Sequence, residues 1–583
     1  MDELHETLPT RMGALLFRAK ALCFQARRLW QDTHRGGVAR HSRAFDGEML
    51  DVLGEWKSAL RGEGSVPGER KLQLGKIQNL RVAAQALNGL NISAGETFSF
   101  WRQIGRPVTR RGFAVGRELR EGCLIPTVGG GLCQLSGAIY NAAIASGLEV
   151  RERHAHSHSG VGTLAQMGRD ATVFWNYVDL RLRSEKPWRL EVSLTRDQLV
   201  VRIRGAQRAR QASAPEISSP IPAAAAAQPN SCMSCGVEDC FRHHPPSADC
   251  ERTAVLVDEW WPEWQAYLDR GDFRSALLCR PLDGTRFRKP NYRWDASGFG
   301  KVTSATFTTL RRAWAMRSLR EQGAARQEAL LEWDQRLARA LARKLRPEHT
   351  HLIVSQNLLP FLWRDGILGG RTFDVFMTRL PLAELHRELD RAATLHPESE
   401  TCADFRAPHS LLDSESEALA AANRWITPHA HVAQLAGGRS LLLPWSVRAA
   451  SRTKALEGPP RICFPATTLC RKGAYELREA ARELDLEIVC TGGQLEGADF
   501  WSGLRVTQTN PEDWLRGVSA VALPAFFENR PRRLLQAIAA GVPVIASTAC
   551  GLHDLPGVTE IESGDTGGLI EALRKVVTPA CLV

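Results

Sequence analysis

Residues 518–546, VSAVALPAFFENRPRRLLQAIAAGVPVIA, decide the fold. The stretch opens on a short apolar run, Val518 to Leu523, and closes on another, Val542 to Ala546, with Leu534, Leu535, Ala537 and Ile538 at helical spacing between them. Short apolar runs on either side of a helical segment predict buried parallel strands joined by a covering helix. Similar strand-like runs occur at Arg461 to Phe464, Glu487 to Cys490, His351 to Val354 and Ala254 to Val257, each separated from the next by helical patterns. The expected class is α/β, with parallel sheets covered by helices.

The chain has 583 residues, 44% hydrophobic and 24% charged, too many for one compact core and suited to three or four folded units. Its net charge of +11 favours anionic partners such as sugar nucleotides, polyanions or acidic membrane surfaces, and no specific nucleic-acid partner is expected. No run approaches the roughly 20 apolar residues that span a bilayer, and the N-terminus lacks a charged-then-apolar leader, so a cytoplasmic protein is expected. Arg11 to Trp30 reads as a basic amphipathic helix, which either packs on its own protein or offers a peripheral membrane contact. Cys463, Cys490 and Cys550 stand alone in apolar surroundings, as reduced thiols do.

These patterns divide the chain into a helical N-terminal segment (1–71), a mixed α+β domain (72–205), a linker rich in Pro and Ala (206–230), a cysteine-rich motif (231–252) and an α/β region from residue 253 onward. The run from Leu310 to Leu345, rich in Arg and Ala, has helical period with a solvated face.

In the second segment, Gly129-Gly130-Gly131-Leu132-Cys133-Gln134-Leu135-Ser136 precedes a helix expected from Leu135 to Ser146. Three glycines let the backbone turn tightly, and a helix N-terminus favours a thiolate on Cys133. With His154 or His156 as base and Asp170 as its orienting partner, Cys133 would form a nucleophilic pair, and Gln134 would help hold an oxyanion. The alternative is a glycine loop whose cysteine simply packs, with His154, His156 and His158 forming a polar or weak metal patch. Together with Gly95-Glu96-Thr97-Phe98-Ser99-Phe100, Tyr140-Asn141-Ala142-Ala143 and Gly168-Arg169-Asp170-Ala171-Thr172-Val173, these residues resemble the VanW family over roughly residues 72–205. The resemblance implies a domain and no particular reaction.

Cys232, Cys235, Cys240 and Cys250 fall within nineteen residues, with His243 and His244 beside them. Four thiolates suit a tetrahedral structural Zn²⁺, and an iron–sulfur cluster takes the same number. Unliganded thiols in a linker are the third reading.

The C-terminal half resembles nucleotide-sugar glycosyltransferases of the GT-B fold, family 4 type. Phe527-Glu528-Asn529 and the run from Leu534 to Ile545 resemble its E-x7-E motif and helix-to-strand exit, and Arg471-Lys472-Gly473 resembles its Lys-Gly turn. The resemblance implies two Rossmann-like lobes (253–450 and 451–583), a nucleotide-sugar donor, Lys472 on its phosphates, Glu528 on its sugar and Gln536 where a second Glu normally holds the ribose. Thr467 stands where an Arg is expected, leaving Arg471 to supply the charge. The leading expectation is sugar transfer from a nucleotide donor to an envelope-related or secondary-metabolite acceptor, a glycan or small molecule. The alternatives are a Cys133-dependent acyl-transfer or amidase enzyme with a degenerate GT-B module, and a non-enzymatic, metal-stabilised scaffold.

Overall fold

The computed structural model describes residues 11–34, 38–43, 50–61, 69–120, 123–155, 169–206, 251–319, 324–403, 406–447, 460–509, 514–553 and 555–577. The chain divides into two compact units, one of residues 1–252, 346–350 and 365–371, the other of residues 253–345, 351–364 and 372–583.

Among the described residues the first unit carries four helices, α1 (Arg11–His34), α2 (Arg70–Leu87), α3 (Phe100–Ile104) and α4 (Leu132–Ser146). Its main sheet runs β1 (Asp51–Ala59), β9 (Gln198–Gly205), β8 (Trp188–Leu194), β2 (Leu90–Ile92), all pairs antiparallel. A second sheet joins β3 (Thr97–Ser99), β7 (Arg181–Arg183) and β6 (Glu149–Glu152), and β4 (Val115–Arg120) pairs with β5 (Cys123–Val128) as a hairpin. Trp188, Leu190 and Val192 point inward from β8 at the period of two that a half-buried strand requires. Ile139, Ala142 and Ala143 of α4 join the same core. A Cβ on Gly54 of β1 would stand 2.6 Å from the Ala142 carbonyl, so helix and strand meet closely there. β1 lies within the segment expected to be helical. It is an edge strand with mostly exposed side chains, among them Glu55 and Lys57, so no apolar alternation marks it. α1 packs on its own unit through Gln25 to the Trp175 carbonyl (2.8 Å) and Asp32 to Arg181 (2.7 Å), with Leu22, Leu29 and Trp30 exposed.

The described residues of the second unit form two sheets. The first runs β12 (Lys301–Ser304), β11 (Leu277–Arg280), β10 (Arg252–Leu256), β13 (His349–Ser355), β14 (Thr372–Phe376), β15 (Arg424–Thr427), β16 (Ser440–Leu442). Around it lie α5 (Pro262–Arg270), α6 (Thr306–Ala315), α7 (Ala324–Ala342), α8 (Leu359–Arg364), α9 (Leu382–Leu395), α10 (His409–Ala421) and α11 (Ala430–Ala436). The run expected as helical from Leu310 to Leu345 thus contains α7 and part of α6. The second sheet runs β19 (Arg505–Gln508), β18 (Glu487–Cys490), β17 (Arg461–Phe464), β20 (Ala520–Leu523), β21 (Val544–Ser547), β22 (Val558–Ile561), every pair parallel, with α12 (Ala474–Glu483), α13 (Arg532–Ala539) and α14 (Thr566–Val577).

Each sheet reverses its strand order once. After β12 the chain returns to set β13 beside β10, and after β19 it sets β20 beside β17. Such a reversal opens a crevice outside the C-terminal ends of the two central strands, the usual ligand position in open α/β sheets. These are two Rossmann-like lobes, the GT-B plan. Cys463, Cys490 and Cys550 are free and buried, and burial pushes each thiol up to about 12. No helix among the described residues is long and apolar enough to cross a membrane.

Candidate functional site

The crevice of the second lobe is a cavity of about 300 Å³. Strand ends supply Pro465 to Thr467 after β17, Gly492 after β18 and Leu523 of β20, and the wall is Lys472, Glu528 and Arg530 to Leu534. Lys472 closes a 3₁₀ turn, Cys470–Lys472, that Gly473 ends at φ 75°. A Cβ on Gly473 would stand 2.2 Å from the Pro524 carbonyl oxygen, so both the positive φ and the close approach require glycine. The turn aims Lys472 at the loop after β20, where Nζ donates to Glu528 Oε2 at 2.7 Å. Glu528 Oε1 accepts the Arg530 amide at 2.9 Å. Burial lowers the Lys472 pKa against the pull of the Glu528 carboxylate. Burial alone would raise that of Glu528, yet the Lys472 ammonium, the Arg530 amide and the Arg471 charge hold it below the ordinary carboxylate value.

Three arginines follow Glu528, and each is tethered. Arg532 makes a bidentate pair with Glu263 in the first turn of α5, at 2.7 and 2.6 Å, and the Glu263 side chain is fully buried. Arg530 donates to Glu259 at 3.0 Å and lies 5.1 Å over the Trp261 ring. Arg533 donates to the Pro465 carbonyl at 2.8 Å and to the Thr491 hydroxyl. Carboxylates of the first lobe therefore reach the arginines of the second. Burial raises the Glu259 pKa, and the Asp258 charge beside it adds to the effect. Asn357, after β13, donates to Asp258 Oδ2 at 2.8 Å, joining the two strand ends at the first lobe's own reversal. His429 caps α11 by accepting the Val432 amide, and its other ring nitrogen lies 3.0 Å from the Glu528 carbonyl oxygen. That nitrogen carries the proton, and burial drives the His429 pKa down to about 4.

Of the residues singled out in the sequence, Lys472 and Glu528 are brought together. Arg471 instead lies 5.3 Å over the Phe527 ring, outside the cavity lining. Gln536 is exposed, because α13 starts at Arg532 and only its first turn lines the cavity. Thr467 does line it, with Arg533 tied to Pro465 two residues earlier. Sequence reasoning missed Arg530, Arg532, Arg533, Glu259 and Glu263. The run Arg530-Pro531-Arg532-Arg533 is a visible signal, whereas Glu263 gives none, its partner being 269 residues away.

In the first unit, Gly131 caps α4 at φ 98° and Cys133 sits in the first turn. Cys133 Sγ lies 3.4 Å from Thr172 Oγ1 and 3.7 Å from the Val173 carbonyl. Ser136 donates to the Ala171 carbonyl at 2.6 Å, and Asn141 to that of Arg169 at 2.8 Å. The Asp170 carboxylate accepts from Arg153 at 2.8 Å, and His154 Nε2 lies 3.2 Å from Glu152. Gln134 donates to the Ala59 carbonyl (2.7 Å) and the Ser58 hydroxyl (3.0 Å), ligands that tie it to the end of β1. His156, His158 and the cysteine-rich motif (Cys232, Cys235, Cys240, Cys250, His243, His244) lie outside the described residues. Among the described residues no group of three or more His, Cys, Asp or Glu could hold a metal ion.

Residues 75–204 match the family described as VanW like protein. The chain is 31% identical over 128 residues to the vancomycin B-type resistance protein VanW of Enterococcus faecalis, covering 21% of this chain and 46% of that protein. It is 32% identical over 110 residues to YoaR of Bacillus subtilis, covering 19% of this chain and 36% of that one. The chain thus spans less than half the length of these two relatives. Solved structures similar to the chain include the lipopolysaccharide outer core galactosyltransferase WaaB, at 13% identity and TM-score 0.33, covering 56% of this chain and 90% of that one. Another is sucrose-phosphate synthase from Thermosynechococcus elongatus, at 14% and 0.34, covering 56% and 89%.

The VanW-like motif residues share one local task. Cys133, Ser136 and Asn141 lie one to two turns apart along α4 and hold the backbone of residues 169–173 against it. A catalytic cysteine would have to act from within that contact.

Proposed function

We propose that the chain is a nucleotide-sugar-dependent glycosyltransferase, acting in the cytoplasm on an envelope-related or secondary-metabolite acceptor, with the VanW-like domain presenting that acceptor. The observation that carries this reading is the Lys472–Glu528 contact of 2.7 Å on the wall of a cationic crevice at the strand-order reversal. Breaking the donor's glycosidic bond leaves negative charge on the departing nucleoside diphosphate, and fixed cations in a water-poor crevice stabilise it. Lys472 and Arg533 take the phosphates, with Arg533 supplying the charge that Thr467 lacks. Glu528 accepts hydrogen bonds from the donor's sugar hydroxyls, Arg471 adds positive potential from behind, and Gln536 meets the ribose from the rim.

Release of free sugar from a panel of nucleotide sugars by the purified chain tests this. Lys472→Ala or Glu528→Ala abolishes the release; equal rates in all three proteins would sink the reading.

A second reading rests on Cys133, half-buried in the first turn of α4, where the helix end favours a thiolate. It makes Cys133 the nucleophile of an acyl-transfer step, with His156 as base and Asp170 orienting it. Iodoacetamide labelling that follows an ordinary thiol pKa rules it out. For Cys232, Cys235, Cys240 and Cys250 we propose a structural zinc; metal analysis of the purified chain decides, and a brown protein means an iron–sulfur cluster instead.

A further inference from the structure

We propose that α6 and the basic segment leading into it dock on an anionic phospholipid surface. α6 is built inside out. Its one buried residue is Thr309, whose hydroxyl donates to the Pro281 carbonyl at 2.9 Å. Phe307, Leu310 and Trp314 face outward, 73, 42 and 76% exposed, and Phe307 and Trp314 are the most exposed large apolar residues among those described. Their spacing of three and four residues puts them on one face of the helix. Val302 of the edge strand β12 is exposed as well.

Charge selects the partner. Between Gly284 and Leu319 the sequence has eight Lys and Arg against one acid, Asp295. Arg286, Arg288, Lys289, Lys301, Arg311 and Arg317 are exposed, while Arg312 is half-buried and paired with Asp334 at 2.7 Å. Aromatic and aliphatic side chains interleaved with cations match the boundary between lipid headgroups and acyl chains, where a Trp ring buries its body and keeps its N–H wet. A second copy of this chain would bring like charge against like. Single-stranded nucleic acid needs open ring faces, whereas Arg311 already lies 5.6 Å over the Phe307 ring and Leu310 has no π face. The main-chain carbonyl of Asn291, in the same segment, accepts the Trp260 amide at 2.8 Å, next to Glu259. The proposal does not depend on the sugar-transfer reading.

Co-sedimentation of the full chain with vesicles tests it. The chain binds vesicles of phosphatidylglycerol and phosphatidylcholine, releases on adding salt, and ignores pure phosphatidylcholine. Phe307→Ser with Trp314→Ser lowers binding about tenfold or more, and Arg311→Gln and Arg317→Gln about fivefold each. Leu22→Ser with Trp30→Ser, on α1, leaves binding unchanged. All these side chains are exposed, so the variants melt with the parent. The proposal is overturned if anionic vesicles are not bound or if the α6 double variant binds as the parent does. It is equally overturned if the α1 variant alone loses binding, or if the α6 face instead supports self-association or captures a single-stranded oligonucleotide.

Discussion

Replacing Glu528 with Gln removes the carboxylate charge beside the buried Lys472 ammonium and leaves it neutral acceptors, the new amide oxygen and the Phe527 carbonyl at 3.5 Å. At 2.7 Å and an effective dielectric near 20, the gross attraction of the pair is about 6 kcal/mol, most of it offset by desolvation of the two charges. Breaking a buried pair from one side costs about 3–5 kcal/mol, and side chains still 11 and 16% exposed place this one near the lower end, at about 3 kcal/mol. Lys472→Met costs less, about 2 kcal/mol, because Glu528 keeps the Arg530 amide. The double variant removes both charges and falls well short of the sum, giving a coupling of about 2 kcal/mol. Hydrogen exchange at β17 and β20 in the parent, both single variants and the double variant measures each cost as the free energy of opening that lobe. Additivity to within about 0.5 kcal/mol would show that the two groups do not share an ion pair.

His429 makes stability depend on pH. Its folded pKa of about 4 lies below the ordinary 6.5, so the unfolded chain binds the proton first; the contribution is complete above the unfolded value and is lost as pH falls towards 4, with about 2 kcal/mol gone by pH 5. His429→Asn flattens that part of the profile in melts at pH 7 and pH 5, and an unchanged profile would assign the dependence elsewhere. Gly473→Ala, forced into φ 75° and 2.2 Å from the Pro524 carbonyl oxygen, destabilises the second lobe by about 2 kcal/mol or more. Gly493→Ala, where an added Cβ meets nothing within 4 Å, serves as the control and changes thermal unfolding by about 0.5 kcal/mol at most. Equal melting of the two variants would show that the turn at residue 473 is not under constraint.

How much could be read from the sequence followed burial. β17 and β18 match the apolar runs at Arg461 to Phe464 and Glu487 to Cys490, since buried strands must be apolar on one face or both. The edge strands β1, β16 and β19 carry mixed residues that are mostly exposed or half-buried, and no pattern announces them. The site divides in the same way. Lys472 and Glu528 each stand in a local motif, and folding brings the two motifs into contact. The tethers Glu259–Arg530 and Glu263–Arg532 join segments about 270 residues apart and depend on how one lobe faces the other. Gln536 shows a subtler limit: an eight-residue separation from Glu528 fixes its place in the motif, but the helix start at Arg532 decides that it faces solvent.

Calorimetric titration of the full chain with uridine and guanosine diphosphates tests the crevice as a phosphate site most directly. At least one of them binds, and Lys472→Ala or Arg533→Ala weakens that binding about tenfold or more, as loss of a charge-assisted contact requires. Failure of both diphosphates to bind, or binding that neither substitution alters, would show that Lys472 and Arg533 do not form a phosphate site.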